Sequence, residues 1–245
     1  MEGPGPADGS RRLTPGLSEE PGHSRAIRSF VTRAGRITPA QERALEELWP
    51  KYGVELGAAP MDLDALFGRH ARRVAEIGFG NGENLLALAA SRPEEDFLGI
   101  EVHRPGVGRL LLQLQERRLT NVRVVCHDAV EVLERFLGAS SLDEILILFP
   151  DPWPKKRHHK RRLIQPAFAA LLAQRLKVGG ALRLATDWEP YAEEMLATLS
   201  AEPRLRNVAG ETGFVPRPPE RPPTRFERRG ERLGHKVWDL ELRRI

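Results

Sequence analysis

The sequence is short of cysteine and of long apolar runs. Its single cysteine, Cys126, excludes an internal disulfide framework and any cysteine-rich zinc site. No apolar run approaches the ~20 residues that a membrane-spanning helix needs, and residues 1–10 lack the apolar core of a secretory signal. We therefore expect a cytoplasmic protein that does not act at membranes.

What is present fits one globular domain with a tail. Residues 1–24 are rich in Gly, Pro, Ser and Glu and nearly free of apolar side chains, a composition typical of a disordered tail. We expect residues 25–245 to form a single domain with an N-terminal helical extension. Thr38, Pro39 and Gln41 predict the capped start of that first helix.

Charge is distributed unevenly along the chain. Residues 44–154 carry 11 basic and 18 acidic side chains, whereas residues 155–162 carry six basic side chains and no acidic one. An acidic centre with basic appendages suits a polyanionic partner. The alternative is that the arginines are only solvated surface residues of an Arg-rich composition.

Short apolar segments alternate with helical patterns through the body of the chain. This alternation predicts a doubly wound, mostly parallel α/β sheet, whose ligands bind beyond the carboxyl ends of the strands. Helices are expected at 84–90, 106–118, 130–136, 166–177 and 191–199, the fourth being closed by Gly179 and Gly180. Strands are expected at 73–78, 97–102, 122–127, 144–149, 181–186 and 236–242.

A glycine-rich turn follows the first predicted strand. Gly78, Gly80 and Gly82 allow the backbone to approach a ligand closely. A dinucleotide-binding turn requires glycine three residues after Gly80, but Glu83 stands there and would repel a phosphate. With Glu76 nearby, the turn suits a ligand without phosphates.

Acidic residues also end the next two predicted strands. Glu101 lies at the distance along the chain at which a carboxylate accepts hydrogen bonds from two ribose hydroxyls. Asp128 ends the third strand, where it could accept from an adenine amine or cap the following helix. Adenosine bound without phosphates among acidic groups points to S-adenosylmethionine.

The fourth predicted strand leads into a proline-rich turn and a basic run. Prolines on both sides of Asp151 restrict its backbone, and Trp153 offers an aromatic face. The alternative is a structural turn capped by the aspartate. The basic run would make salt-dependent phosphate contacts, and its histidines are expected to belong to that surface and not to a metal site. It comprises Lys155, Lys156, Arg157, His158, His159, Lys160, Arg161 and Arg162.

Two further segments are expected at the same edge of the sheet. Asp187 follows the fifth strand, and Thr224, Arg225, Phe226 and Glu227 follow a proline-rich stretch. A base lifted from its stack is held by aromatic faces and by carboxylates that accept its hydrogens. Asp187 and Glu227 are therefore candidate readers of a guanine edge.

These motifs together resemble the bacterial tRNA (guanine-N7-)-methyltransferase family, of the class I S-adenosylmethionine-dependent fold. The resemblance covers residues 25–245, and the motif at 149–162 is its most specific part. It rests on 28–31 (Arg-Ser-Phe-Val), 76–82 (Glu-Ile-Gly-Phe-Gly-Asn-Gly), 99–103 (Gly-Ile-Glu-Val-His), 149–162 (Phe-Pro-Asp-Pro-Trp-Pro-Lys-Lys-Arg-His-His-Lys-Arg-Arg), 185–188 (Ala-Thr-Asp-Trp) and 224–227 (Thr-Arg-Phe-Glu).

The resemblance implies a seven-stranded Rossmann-like sheet with an antiparallel C-terminal strand, and methylation of guanine 46 in the variable loop of tRNA. It implies Asp151 as the catalytic residue and residues 157–162 as the RNA contact. The implied substrate-binding residues are Lys155, Asp187 and Thr224 to Glu227. The implied S-adenosylmethionine-binding residues are Glu76, Gly78, Gly80, Glu101, Asp128 and Asp151.

The chemistry of guanine N7 agrees with this interpretation. N7 carries an in-plane lone pair, so it needs neither a cysteine adduct nor prior proton removal, and Cys126 is expected inside a strand. The alternatives are another tRNA nitrogen as acceptor, a nicotinamide-dependent oxidoreductase, and an RNA-binding protein with a vestigial pocket. We expect no metal, and a monomer slightly more than a homodimer.

Overall fold

The computed structural model describes residues 36–210, 213–219, 221, 227 and 236–245. The predicted tail at 1–24, the segment 28–31 and residues Thr224 to Phe226 lie outside the described residues. Seven strands are seen: Arg73–Ile77 (β1), Asp96–Ile100 (β2), Val122–Val125 (β3), Leu142–Leu148 (β4), Leu176–Thr186 (β5), Leu205–Asn207 (β6) and Trp238–Arg244 (β7).

Helices connect these strands. A π-helical turn, Val132–Phe136, continues α6, and a 3-10 helix covers Lys156–Arg161. The α-helices are Pro39–Glu47 (α1), Trp49–Tyr52 (α2), Leu63–Phe67 (α3), Glu83–Ser91 (α4), Arg104–Glu116 (α5), Ala129–Glu131 (α6), Pro166–Arg175 (α7) and Glu189–Ser200 (α8).

The strands form one sheet in the order β3-β2-β1-β4-β5-β7-β6. β1 pairs in parallel with β2 on one side and β4 on the other, while β7 is antiparallel to β5 and β6. The seven-stranded, mostly parallel sheet is thus confirmed. Because the strand order reverses between β1 and β4, the turns after these two strands meet at the edge where such sheets bind ligands.

Apolar side chains cover both faces of the sheet. Val74 of β1 packs into a cluster with α4 and α5, whereas its neighbour Ala75 packs into a second cluster with α7 and α8. Successive side chains of a strand point to opposite faces, so a strand buried on both sides reads as continuously apolar, as in residues 145–148. The domain therefore has three layers, with the sheet between two layers of helices.

The first helix begins as the sequence predicts. Thr38 accepts from the backbone N–H of Gln41, and the Gln41 side chain accepts from the backbone N–H of Thr38, which completes a capping box. Pro50 lies at the second position of the next short helix, α2, where proline costs no hydrogen bond.

The prediction for the fourth helix was wrong at its end. The helix was expected to reach Lys177, but α7 ends at Arg175 and β5 already begins at Leu176. Gly179 and Gly180 lie inside that strand, opposite a register shift in β4 between Leu142 and Glu144. Pairing with a buried neighbouring strand overrides the local helical preference here, and the glycines accommodate the bulge.

Candidate active site

The glycine turn after β1 is shaped by backbone angles that favour glycine. Gly78, Gly80 and Gly82 have φ values of 72°, 58° and 78°, in the left-handed region. A Cβ on Gly106, in the first turn of α5, would lie 2.1 Å from the carbonyl oxygen of Gly80. The turn is therefore fixed between β1 and α5 at close backbone contact.

The carboxylate of Glu101 holds this turn against the end of β2. It accepts from the backbone N–H of Gly80 at 2.8 Å, of Val102 at 2.7 Å and of His103 at 2.9 Å. A carboxylate offers about four acceptor positions. Backbone groups of the described residues engage three of them, and the fourth could accept from an incoming hydroxyl.

Glu76 is buried in β1, directly before the turn, and is 3% exposed. Desolvation raises the pKa of Glu76 to about 7, opposed by a hydrogen bond from Asn84 Nδ2 at 2.9 Å and reinforced by the charge of Glu101. The Oδ1 of Asn84 has no partner among the described residues. Near neutral pH this carboxyl therefore exists in both protonation states.

Asp128 takes the capping role that was left open for it. Its carboxylate accepts from the backbone N–H of Val130 at 2.8 Å and so caps α6. The neighbouring His127 Nε2 lies 2.8 Å from a carboxylate oxygen of Glu131. His127 and Ala129 line the cavity described next, which places Asp128 beside its wall.

A cavity of about 740 Å³ opens at the carboxyl edge of β1, β2 and β4. This volume lies within the range of small-molecule sites. Gly78, Gly80 and Glu101 line it after β1 and β2, and Phe149 and Asp151 line it after β4. The structure thus brings Gly78, Gly80, Glu101 and Asp151 to one cavity, whereas Glu76 and Asp128 are not among its lining residues.

The turn that carries Asp151 contains two unusual backbone conformations. Phe149 and Trp153 have φ values of 53° and 45°, which are rare for bulky side chains and persist only where the surroundings hold them. Phe149 donates its backbone N–H to the carbonyl of Ala185 at 2.8 Å. Asp151 is exposed at the cavity rim.

The basic run continues directly from this rim. Lys155, Lys156, Arg157 and Lys160 are exposed. The Arg161 guanidinium lies 5.2 Å from the Trp153 ring centroid, which joins the 3-10 helix to the cavity wall. A group of cations next to an acidic cavity is the arrangement expected of a polyanion-binding site.

His158 belongs to this cationic surface. Its ring meets that of Trp153 edge-on, with centroids 5.7 Å apart. Desolvation and then the surrounding cations, led by Arg157, lower the pKa of His158. His159 is half-buried beside it. No group of three or more potential metal-ligating side chains occurs among the residues described.

Arg162 differs from the rest of the run because it points inward. It is 3% exposed, its Nε donates to the carbonyl of Pro152 at 2.9 Å, and it pairs with Glu194. Its guanidinium also lies 4.8 Å from the Tyr191 ring centroid. The structure therefore gives this residue, which was expected to contact RNA, the role of anchoring the Asp151 turn to α8.

The two remaining acidic candidates are placed differently. Asp187 is half-buried directly after β5, and the pairing of β4 with β5 brings it to the same edge as Asp151. Glu227 is 2% exposed, with its carboxylate bound by Arg221. The sequence predicted that Glu227 contacts a substrate base, but its carboxylate pairs with Arg221 inside the protein.

Sequence reasoning missed several residues at or near the site. Asn84, Arg221 and Asp239 are buried polar residues. Their side-chain partners lie 6 to 18 residues away along the chain, farther than a cap or an i,i+4 helical pair, so no spacing rule indicates them. His103 and His127 line the cavity. His103 directly follows the predicted strand 97–102 and His127 ends the predicted strand 122–127, a position that in itself could have suggested them.

The described helices include none that is long and apolar enough to cross a membrane.

Solved structures of low sequence identity share the fold. The 16S rRNA methyltransferase KamB matches with a TM-score of 0.52 at 15% identity, over 80% of this chain and 99% of that one. A SAM-dependent methyltransferase from Aquifex aeolicus matches with a TM-score of 0.50 at 15% identity, over 84% and 89%.

Similarity to curated proteins is much higher. A tRNA (guanine-N(7)-)-methyltransferase of Leifsonia xyli is 62% identical, over 88% of this chain and 95% of the relative. One of Stutzerimonas stutzeri is 59% identical, over 90% and 93%. A family model described as "Putative methyltransferase" matches residues 70–240. By sequence and fold together, the chain belongs to the bacterial tRNA (guanine-N7-)-methyltransferase family.

Proposed function

We propose that this protein transfers a methyl group from S-adenosylmethionine to N7 of guanine 46 in the variable loop of tRNA. Family membership supports the donor and the tRNA guanine N7 acceptor. The observation that carries the proposal is the junction at Asp151, where an acidic cavity meets an exposed cationic run. A cationic donor and a polyanionic acceptor are thus brought to adjoining surfaces.

The residues of the cavity fit S-adenosylmethionine, which bears a sulfonium cation and no phosphate. The carboxylates of Glu101 and Asp151, which line the cavity, favour a cation, and Glu76 adds to this charge to the extent that it is ionised. Glu83 at the start of α4 disfavours the pyrophosphate of a nicotinamide cofactor. The remaining acceptor position on Glu101 suits one ribose hydroxyl, and Asp128 and His127 are proposed to contact the adenine edge.

Bound S-adenosylmethionine would supply a methyl group made electrophilic by its sulfonium. The protein's part is then to hold guanine N7 in line with the carbon–sulfur bond, and such positioning is worth up to about 7–11 kcal/mol of the barrier. N7 would accept the methyl group through its lone pair as the methyl–sulfur bond breaks, so the positive charge would pass from sulfur to the guanine. No proton has to leave the acceptor first.

We assign to Asp151 the role of assisting this transfer of charge to the guanine. Its carboxylate, at the cavity rim, would orient the guanine and stabilise the positive charge that develops on it. Asp187 at the same edge, Lys155, and Thr224 to Phe226 are proposed to contact the nucleotide. Arg157, His158, His159, Lys160 and Arg161 are proposed to contact the RNA backbone, with Arg162 supporting their loop.

The proposal is tested with purified protein and unmodified tRNA transcripts. We expect 7-methylguanosine in the digested tRNA, and its loss when guanine 46 is replaced by adenine. Calorimetry is expected to show binding of S-adenosylmethionine and none of NADH. Methylation at another tRNA nitrogen, or at N7 of another guanine, would contradict the proposed acceptor.

A further inference from the structure

A buried guanidinium links β7 to the segment that precedes it in the chain. Arg221 Nε and Nη2 contact the two carboxylate oxygens of Asp239 at 3.1 and 3.0 Å. Its Nη1 and Nη2 contact those of Glu227 at 2.7 and 3.1 Å. Arg221, Glu227 and Asp239 are 6%, 2% and 5% exposed, so this is an internal ion cluster with two bidentate arms.

The cluster depends on Arg221 because its other members repel each other. Desolvation raises the pKa of Asp239, and Arg221 opposes that shift while the charge of Glu227 adds to it. Arg217 reaches Glu227 at 3.5 Å, but its side chain is 44% exposed. Among the described residues, Arg221 is thus the buried cation that contacts both carboxylates.

The same guanidinium lies against the Asp151 turn. Its central carbon is 5.8 Å from the centroid of the Phe149 ring, within the range of a cation–π contact. Asp239 pairs with Ala185 across β5 and β7, and the carbonyl of Ala185 accepts the backbone N–H of Phe149. Arg221 is therefore connected to Phe149 through its ring and through the sheet.

Phe149 needs such support because its φ of 53° lies in the left-handed region. A bulky residue remains in that region only where its surroundings hold it there. Pro150 and Asp151 follow directly, so the backbone angles of Phe149 contribute to the placement of Asp151. A guanidinium held by two carboxylates near the ring provides that support.

We propose that Arg221 is a positioning residue for the methyl transfer: it fixes Phe149 and thereby aims Asp151 at the substrate. This inference rests on the proposed function. Arg221 itself, enclosed by Glu227, Asp239 and Phe149, has no need to touch the tRNA or the methyl donor.

The first test is Arg221→Gln, with Arg217→Gln as the matched control. Single-turnover methylation is measured with tRNA and S-adenosylmethionine both saturating, beside the Kd of each ligand and the melting temperature. We expect Arg221→Gln to lower the rate by on the order of tenfold to a hundredfold, as small misplacements do. The two Kd values should change less than about threefold, the size of about 0.6 kcal/mol. Arg217→Gln should leave all four quantities unchanged.

A second variant covers the case in which Arg221→Gln does not fold. Phe149→Leu leaves the ion cluster in place and removes the aromatic face, so a similar loss of rate is expected. In a double-mutant cycle with Asp151→Asn, the losses should be strongly non-additive because both changes act through Asp151.

Additive losses in that cycle would overturn the inference. A normal single-turnover rate in folded Arg221→Gln would do the same. So would a loss of affinity for both ligands that parallels a fall in the melting temperature. Wild-type protein is the internal reference. Its failure to form 7-methylguanosine would reject the proposed function instead, independently of any variant.

Discussion

The side-chain amide of Asn84 donates a hydrogen bond across 2.9 Å to the carboxyl group of Glu76, in the interior of the sheet. Glu76 lies at the end of β1 and Asn84 in the first turn of α4, so the contact spans the glycine turn. Because the pKa of Glu76 is raised to about 7, its carboxyl group gains or loses a proton near neutral pH.

Glu76 is predicted to make stability fall as pH rises. Its pKa is about 7 in the folded protein and about 4.5 when solvated, so between these values the folded state holds more protons than the unfolded state. Stability contributed by the neutral carboxyl is complete below pH 4.5 and is lost as pH rises towards 7. The slope is at most about 1.4 kcal/mol per pH unit.

Glu76→Gln isolates this effect. Urea unfolding of the ligand-free protein from pH 5 to pH 8 should show a smaller decline for the variant than for the wild type. The variant should also be the more stable of the two at pH 8. Parallel declines for both proteins would show that Glu76 does not titrate in this range.

Gly106→Ala is predicted to disturb the glycine turn. The added Cβ would lie 2.1 Å from the carbonyl oxygen of Gly80, so α5 and the turn must move apart. We expect a loss of stability of about 1–3 kcal/mol, typical of overpacking, together with weaker cofactor binding. Thermal melting and calorimetry measure the two effects.

Gly138→Ala is the matched control for that change. Nothing lies within 4 Å of a Cβ at this position, and its stability should stay within about 1 kcal/mol of the wild type, with a gain as the expected sign. Equal behaviour of the two variants would mean that the close contact at Gly80 relaxes without cost.

Arg162 and Arg157 are predicted to separate anchoring from RNA binding. Arg162→Ala removes a buried guanidinium that bonds Pro152 and Glu194, and should cost about 2–3 kcal/mol in urea unfolding. Arg157→Ala should change stability by less than about 0.5 kcal/mol, because Arg157 is exposed. A stable Arg162→Ala protein that binds tRNA poorly would reverse the two assignments.

Salt is predicted to weaken tRNA binding far more than cofactor binding. The exposed cations Lys155, Lys156, Arg157 and Lys160 would each release counterions from phosphates, so the logarithm of the affinity should fall linearly with that of salt concentration. Arg157→Ala should reduce this slope by about 1 or less. Equal salt sensitivity for tRNA and S-adenosylmethionine would argue against this surface.

Asp151→Ala is predicted to slow the chemical step itself. With both substrates saturating, its single-turnover rate should fall by about 10²-fold or more, as for the loss of a group that stabilises developing charge. Asp151→Asn keeps the shape and removes the charge, so the difference between the two variants measures the electrostatic part. An unchanged rate in Asp151→Ala would remove the residue from the mechanism.

The sequence by itself determined the alternation of strands and helices, the capping box at Thr38 and Gln41, and the turns after β1 and β4 that form the site. These features depend on neighbouring residues: apolar runs, glycine and proline positions, and cap chemistry act over a few positions. For the same reason, three cavity residues could be predicted once a parallel sheet was expected. They are Gly78, Gly80 and Glu101, which lie at the ends of successive strands.

Only the tertiary structure decided what depends on partners distant in the chain. It ended α7 at Arg175 because β5 pairs with a buried neighbour, and it formed β6 as an edge strand on β7. It also turned Arg162 inward among basic residues that look alike in sequence, and enclosed Arg221 between Glu227 and Asp239. Whether a charged side chain faces water or a partner depends on the desolvation and pairing available at its final position, and no local pattern of residues encodes that.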